Sequence, residues 1–222
     1  GIFVHMVPLY VILGGPLWRI LRKRVSLWFT HGDVPASLKI ANLFVHEILT
    51  AAEGSCNLQS KKVRVTGHGI DTDHFRPIAG VSKDIDLITV GRITESKNLK
   101  TLVNILAKVR KVHDVSLTIV GTAVTETERA HEASLRGHID SLGLTPHVHF
   151  TGRVSQSELP RVLNQAKVFV TAAQNGSLDK AMLEAMACGL PVVSSAKGSS
   201  SLPLGAAKLL DWKLSRLSSG KC

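Results

Sequence analysis

Cysteine, tyrosine and acidic residues are all scarce in this 222-residue sequence. The three cysteines, Cys56, Cys188 and Cys222, lie far apart, without the paired spacing of a zinc site or a disulfide framework. A reducing compartment and no structural metal are therefore expected. Tyr10 is the sole tyrosine, so no interleaved aromatic platform for nucleic acid is present. The apolar opening from Ile2 to Trp18 is short for a membrane span. It lacks a charged leader and contains His5, Pro8, Gly14, Gly15 and Pro16, which makes it a poor signal peptide. Acidic residues number 17 against 27 Lys and Arg, a formal charge of +10 that favours an anionic partner: nucleic acid, a membrane surface or a phosphorylated small molecule. With 44% apolar and 20% charged residues, disordered and collagenous chains are excluded, and the length suits one large or two modest domains.

From Ile85 onward, short β-branched runs alternate with amphipathic stretches, the pattern of βα units around a parallel sheet. Strands are predicted at 85–90, 115–120, 147–150, 168–171 and 191–194. Helical spacing of Leu99, Leu102, Val103, Leu106 and Val109 predicts a helix over 98–113. Ser155-Gln156-Ser157-Glu158 forms a capping box, and a last helix is predicted from Ser177 to Cys188, stopped by Gly189 and Pro191. The earlier part predicts strands at 2–5, 25–30 and 63–66, a helix up to about Lys23 and another through 36–49. The apolar opening fits a buried strand and helix followed by a solvated basic turn; Arg19, Arg22, Lys23 and Arg24 also allow contact with a bilayer surface. The polar stretch from Ile78 to Asp84 has linker character, so domains are expected at 1–77 and 78–195, followed by a loosely packed, divergent tail at 196–222.

Ligands of open parallel sheets bind beyond the carboxyl ends of the strands. Gly91-Arg92 and Lys97 follow the 85–90 run, and two cations beside a helix start make a diphosphate site, or else a pair of solvated surface charges. Leu178, Ala181, Met182, Ala185 and Met186 build a buried stripe that leaves Glu184 on a different face, one turn after Lys180. A carboxylate among such apolar neighbours needs a partner, either Lys180 or the vicinal hydroxyls of a ligand.

Gly91-Arg92 with Lys97, Ile119-Val120-Gly121, the run from Val148 to Val154, and above all Leu183-Glu184-Ala185-Met186-Ala187-Cys188-Gly189-Leu190-Pro191 resemble the donor half of the glycogen-synthase-like family of GT-B glycosyltransferases (group 1, family 4). The resemblance spans about residues 1–195. It implies an α/β, GT-B architecture: a Rossmann-like parallel-sheet donor domain and a partial Rossmann-like acceptor-side domain, with the chain truncated at both ends. His68-Gly69-Ile70-Asp71, Phe75 and Pro77 resemble the crossing between the two domains, and Val4-His5-Met6 the end of a strand at the acceptor side.

The implied activity is retaining, hexosyltransferase-type transfer from a UDP or GDP sugar, without a cofactor or bound metal. Its acceptor would be a glycan or lipid-linked molecule, and its place cytoplasmic, peripheral at the inner membrane face, with no nucleic-acid partner. Arg92 and Lys97 would stabilise the leaving diphosphate, Glu184 hold the ribose, and main-chain groups at Arg153 and Val154 flank the base. His5 would meet the donor sugar or orient the acceptor, although a lone histidine is more often structural. The family's second glutamate, eight positions before Glu184, is Gly176 here. Sugar recognition then passes to Asp179, Lys180 and the amides of Gly176, Ser177 and Leu178. An ending that departs from the family after Ser195 suggests a fragment or a frameshift, with a sheet edge left open to self-association. A catalytically dead module that binds nucleotide or anionic membrane is the alternative.

Overall fold

The computed structural model describes residues 1–173 and 179–195. Among them the chain divides into two compact units between Gly69 and Ile70.

The first unit alternates strands and helices: β1 (Ile2–His5), α1 (Pro8–Ile20), β2 (Val25–Trp28), α2 (Ala36–Phe44), β3 (Glu47–Thr50) and β4 (Val63–Val65). Its strands pair in parallel in the order β1-β2-β3-β4. Val11, Leu27, Leu38 and Ile48 are wholly buried in its core. Each such side chain contributes roughly 1.5–3 kcal/mol by leaving water.

Two expectations are corrected here. The helix predicted through Leu49 ends at Phe44, Val45 turns extended (ψ 154°), and β3 follows. His46 enforces the change: its amide donates to Val25 O (2.8 Å), and its Nδ1 accepts from Val25 N (3.0 Å). The opening helix is not buried as a whole. Pro8, Val11 and Gly15 of α1 are buried and Ile12 and Trp18 pack partly against the core, while Leu9, Tyr10, Leu13, Leu17 and Ile20 are exposed. It stops at Ile20, and Arg22 at φ 50° turns the chain through the solvated basic segment into β2.

The second unit contains β5 (Ile85–Val90), α3 (Leu99–Val109), β6 (Leu117–Val120), α4 (Glu126–Ser141), β7 (Val148–Gly152), α5 (Leu159–Asn164), β8 (Ala166–Thr171), α6 (Lys180–Ala187) and β9 (Val192–Ser194). All pairings are parallel, in the order β7-β6-β5-β8-β9. Ile88 and Phe169, in the central strands, are wholly buried. The α3 stripe of Leu99, Leu102, Val103 and Leu106 packs on the sheet as its spacing predicts. The reciprocal Ser155–Glu158 hydrogen bonds form, but in the turn just before α5 rather than on its first residue.

Residues 70–78 bond to this second unit, which places the division of the chain ahead of the expected 77/78 boundary. Asn164 Nδ2 donates to Arg76 O (3.0 Å), and Ile78 N donates to Asn164 Oδ1 (2.8 Å). The tail expected at 196–222 lies outside the described residues. No helix among the described residues is long and apolar enough to cross a membrane.

Candidate active site

Strand order runs outward from β5 in both directions, β6 then β7 on one side and β8 then β9 on the other. The crevice between the carboxyl ends of β5 and β8 is thus the topological switch point, where open α/β sheets bind ligands. The loop after β5 begins at Gly91, and the loop after β8 leads to Asp179 and α6. Every candidate that the sequence placed in the donor domain follows β5, β7 or β8.

The carboxyl ends of β5, β6 and β7 close on glycines whose backbones touch. Gly91 N donates to Val120 O (2.9 Å) and Gly121 N to Gly152 O (2.9 Å). Gly91 has φ 148°, and a Cβ there would stand 2.6 Å from Lys97 Cε, so the missing side chain leaves the space through which Lys97 runs. A 3-10 turn over Glu95–Lys97 and Asn98 at φ 50° bend the chain into α3.

Lys97 Nζ donates to Asp179 Oδ2 at 2.7 Å, with the side chains 20% and 10% exposed. The other Asp179 oxygen caps α6, accepting from Ala181 N at 3.3 Å. Arg92 pairs instead with Glu128, at 3.2 Å. Glu128 belongs to the capping box of α4, where its carboxylate accepts from Val124 N and Thr125 N. Those two amides, with Arg92 beside them, hold its carboxyl below the usual glutamate range. Neither Glu128 nor its pairing with Arg92 was anticipated from sequence.

Glu184 is 5% exposed, within the buried side of α6 rather than on a separate face. Contacts from α6 to α5, β8 and β9 leave that helix little open surface. Its Oε1 accepts from Gln156 Nε2 at 3.4 Å and lies 3.5 Å from Lys180 Nζ, both long for a buried carboxylate. Gln156, seen from sequence only as part of a capping box, is thereby a site residue. The neighbouring Cys188 thiol is pushed up to about 11 by burial and by the Glu184 charge. At pH 8 only about one thiol in a thousand would be ionised. We expect iodoacetamide at that pH to leave Cys188 unmodified in the folded chain; mass spectrometry finding rapid alkylation would contradict this environment.

Arg153, exposed, and Val154, half-buried, follow β7 at the same end of the sheet. Gly176, Ser177 and Leu178 lie outside the described residues. His5 belongs to the first unit, where it closes β1 with its side chain exposed. Met6 follows at φ 62°, a strained position held by Thr30 N donating to its Sδ (3.3 Å). An apolar cavity of about 60 Å³ between α3 and the ends of β8 and β9 includes none of the charged candidates. Among the described residues no group of three or more His, Cys, Asp or Glu could hold a metal ion.

Residues 71–201, more than half of the chain, match the family Glycosyl transferases group 1. The chain belongs to this family. It is 25% identical over 154 residues to the mannosylfructose-phosphate synthase of Agrobacterium fabrum, covering 64% of this chain and 34% of that protein. It is 29% identical over 148 residues to a GDP-mannose-dependent alpha-(1-6)-phosphatidylinositol monomannoside mannosyltransferase of Mycobacterium tuberculosis, covering 59% and 37%. The chain thus spans little more than a third of the length of these curated relatives. Among solved structures, Anabaena HepE in complex with UDP superimposes with a TM-score of 0.78 at 17% identity, over 97% of this chain and 67% of that one. Sucrose-phosphate synthase from Thermosynechococcus elongatus gives 0.68 at 18%, over 89% and 56%. The architecture of this group 1 glycosyltransferase is GT-B, as the sequence motifs imply.

Proposed function

We propose that this group 1 glycosyltransferase chain binds a nucleoside diphosphate sugar at the β5/β8 switch point and serves its transfer to an acceptor. The observation that carries the proposal is the placing of Lys97 and Arg92 on the loop after β5, with the buried carboxylate of Glu184 on the helix that follows β8. HepE, of the same fold, has been solved with UDP and with UDP-glucose. Cleavage of the sugar–phosphate bond leaves charge on the departing diphosphate, and two cations beside it lower the barrier by stabilising that charge. Glu184, with both its contacts on Oε1, retains acceptor capacity for the ribose hydroxyls. The backbone at Arg153 and Val154 borders the base. Retention at the anomeric carbon and metal independence are proposed from the family resemblance. So are His5 as a contact for sugar or acceptor, and a glycan or lipid-linked acceptor. A cytoplasmic location is proposed from the same resemblance, and peripheral contact with an anionic membrane is supported by α1, whose exposed Leu13, Leu17 and Ile20 adjoin exposed Arg19, Arg22, Lys23 and Arg24.

The test is calorimetric titration of the chain with UDP, GDP and ADP and with their nucleosides. One nucleotide should bind in the micromolar range, and Glu184→Gln should weaken nucleotide and nucleoside alike by roughly tenfold or more. Arg92→Ala and Lys97→Ala should weaken the diphosphate and spare the nucleoside. Equal affinity in all three variants would rule out the site. Tight nucleotide binding with no transfer of a labelled sugar to any glycan or lipid acceptor would instead make the chain a donor-binding module.

A further inference from the structure

We propose that Asp179 is an internal occupant of the phosphate position: its carboxylate holds Lys97 in the ligand-free chain, and a diphosphate binds by displacing it. Resting on the diphosphate assignment above, this names the group that governs occupancy of that site. The two oxygens of Asp179 engage the two kinds of donor that recognise phosphate. Oδ2 takes the Lys97 ammonium (2.7 Å), and Oδ1 takes the Ala181 amide at the start of α6 (3.3 Å).

Its surroundings make this pair consequential. Lys97 and Asp179 come from loops 82 residues apart in sequence that meet at the β5/β8 crevice, and both side chains are largely shielded from water. Shielded charges attract and repel more strongly than exposed ones, so a phosphate cannot approach Lys97 without meeting the Asp179 charge. The Arg92–Glu128 pair differs. Glu128 is fixed by two backbone amides, while Arg92 is 69% exposed and can leave it at little cost. Of the two carboxylates that neutralise the candidate phosphate ligands, Asp179 is therefore the one that must give way. Lys97 stays ordered and neutralised until an anion arrives, and Asp179 reclaims it as the product diphosphate leaves. Asp179 is in these terms a positioning residue for Lys97, distinct from the sugar contact expected from sequence.

Asp179→Asn separates this role from helix capping, because asparagine still accepts from the Ala181 amide and caps helices as well as aspartate does. Asp179→Ser provides a second uncharged cap. The 222-residue chain and both variants would be titrated with inorganic pyrophosphate, UDP, GDP, ADP and the three nucleosides, with thermal unfolding as the check on folding. Both variants are expected to bind pyrophosphate and the preferred nucleoside diphosphate about tenfold more tightly, with nucleoside affinity unchanged. The gain should vanish when Lys97→Gln is added. Unchanged or weaker pyrophosphate binding in both variants, with wild type still binding, overturns the displacement role and leaves the diphosphate site standing. No binding of pyrophosphate or nucleotide by any folded form overturns both.

Discussion

Gly121→Ala should destabilise the second unit by about 2–6 kcal/mol and abolish anion binding by whatever folded protein remains. The added Cβ would lie 1.9 Å from Gly91 O and 2.8 Å from Gly91 C, a backbone collision that no change of rotamer relieves. Residue 121 also has φ 143°, which residues with a Cβ avoid at a cost of roughly 1–3 kcal/mol. Overpacking adds about as much again. The chain can respond by losing the 2.9 Å bond from Gly121 N to Gly152 O, or by driving the Gly91–Arg92 peptide away from the end of β6. In the second case the turn that carries Lys97 moves with it, so stability and binding fall together. Urea unfolding measures the first effect and pyrophosphate titration the second. A variant as stable as wild type would show that the ends of β5 and β6 do not approach as closely as described.

The same junction shows what the sequence makes legible. Glycines after the 85–90 and 115–120 runs mark strand ends, and the β-branched runs themselves locate β5 to β9 within a residue or two, because buried parallel strands need continuous apolar segments. The α3 stripe was legible for a similar reason: its period matches one buried face. The site was legible as residue types and loops, with Gly91, Arg92, Lys97, Asp179 and Glu184 all at the carboxyl end of one sheet. Their partners were not. Arg92 finds Glu128 at 36 positions and Lys97 finds Asp179 at 82, separations set by how the strands are ordered rather than by any local pattern. Nor does an apolar helical stripe say what covers it, which is why α1 looked buried and proved largely exposed. In the first unit, β3 was hidden because apolar residues recur at Leu38, Ile40, Ala41, Leu43, Phe44, Val45, Ile48 and Leu49 with no glycine or proline between them to mark an end. Along β3 burial alternates, half-buried at Glu47 and Leu49 and buried at Ile48 and Thr50, but the residue types do not, so no period of two marked the strand in the sequence.

That hidden strand supplies the test of the first unit. Ile48→Ala is expected to cost about 2–5 kcal/mol, the range for emptying a fully buried aliphatic site. Ile48 pairs in register with Leu27 on one side and Val63 on the other, and its amide donates to Lys62 O at 2.8 Å. Its side chain joins a core closed by Leu27, Leu38, Val45 and Val11. A unit of four strands, each of three or four residues, has only a few kcal/mol in hand, so one such cavity consumes most of its stability. Hydrogen exchange should then show the amides of β1, β2 and β3 losing protection together, whereas an end-of-helix residue at position 48 would disturb little beyond α2. Protection of β1 and β2 unchanged from wild type would mean that Ile48 does not sit between them and β4, and the parallel register of the first sheet would have to be redrawn.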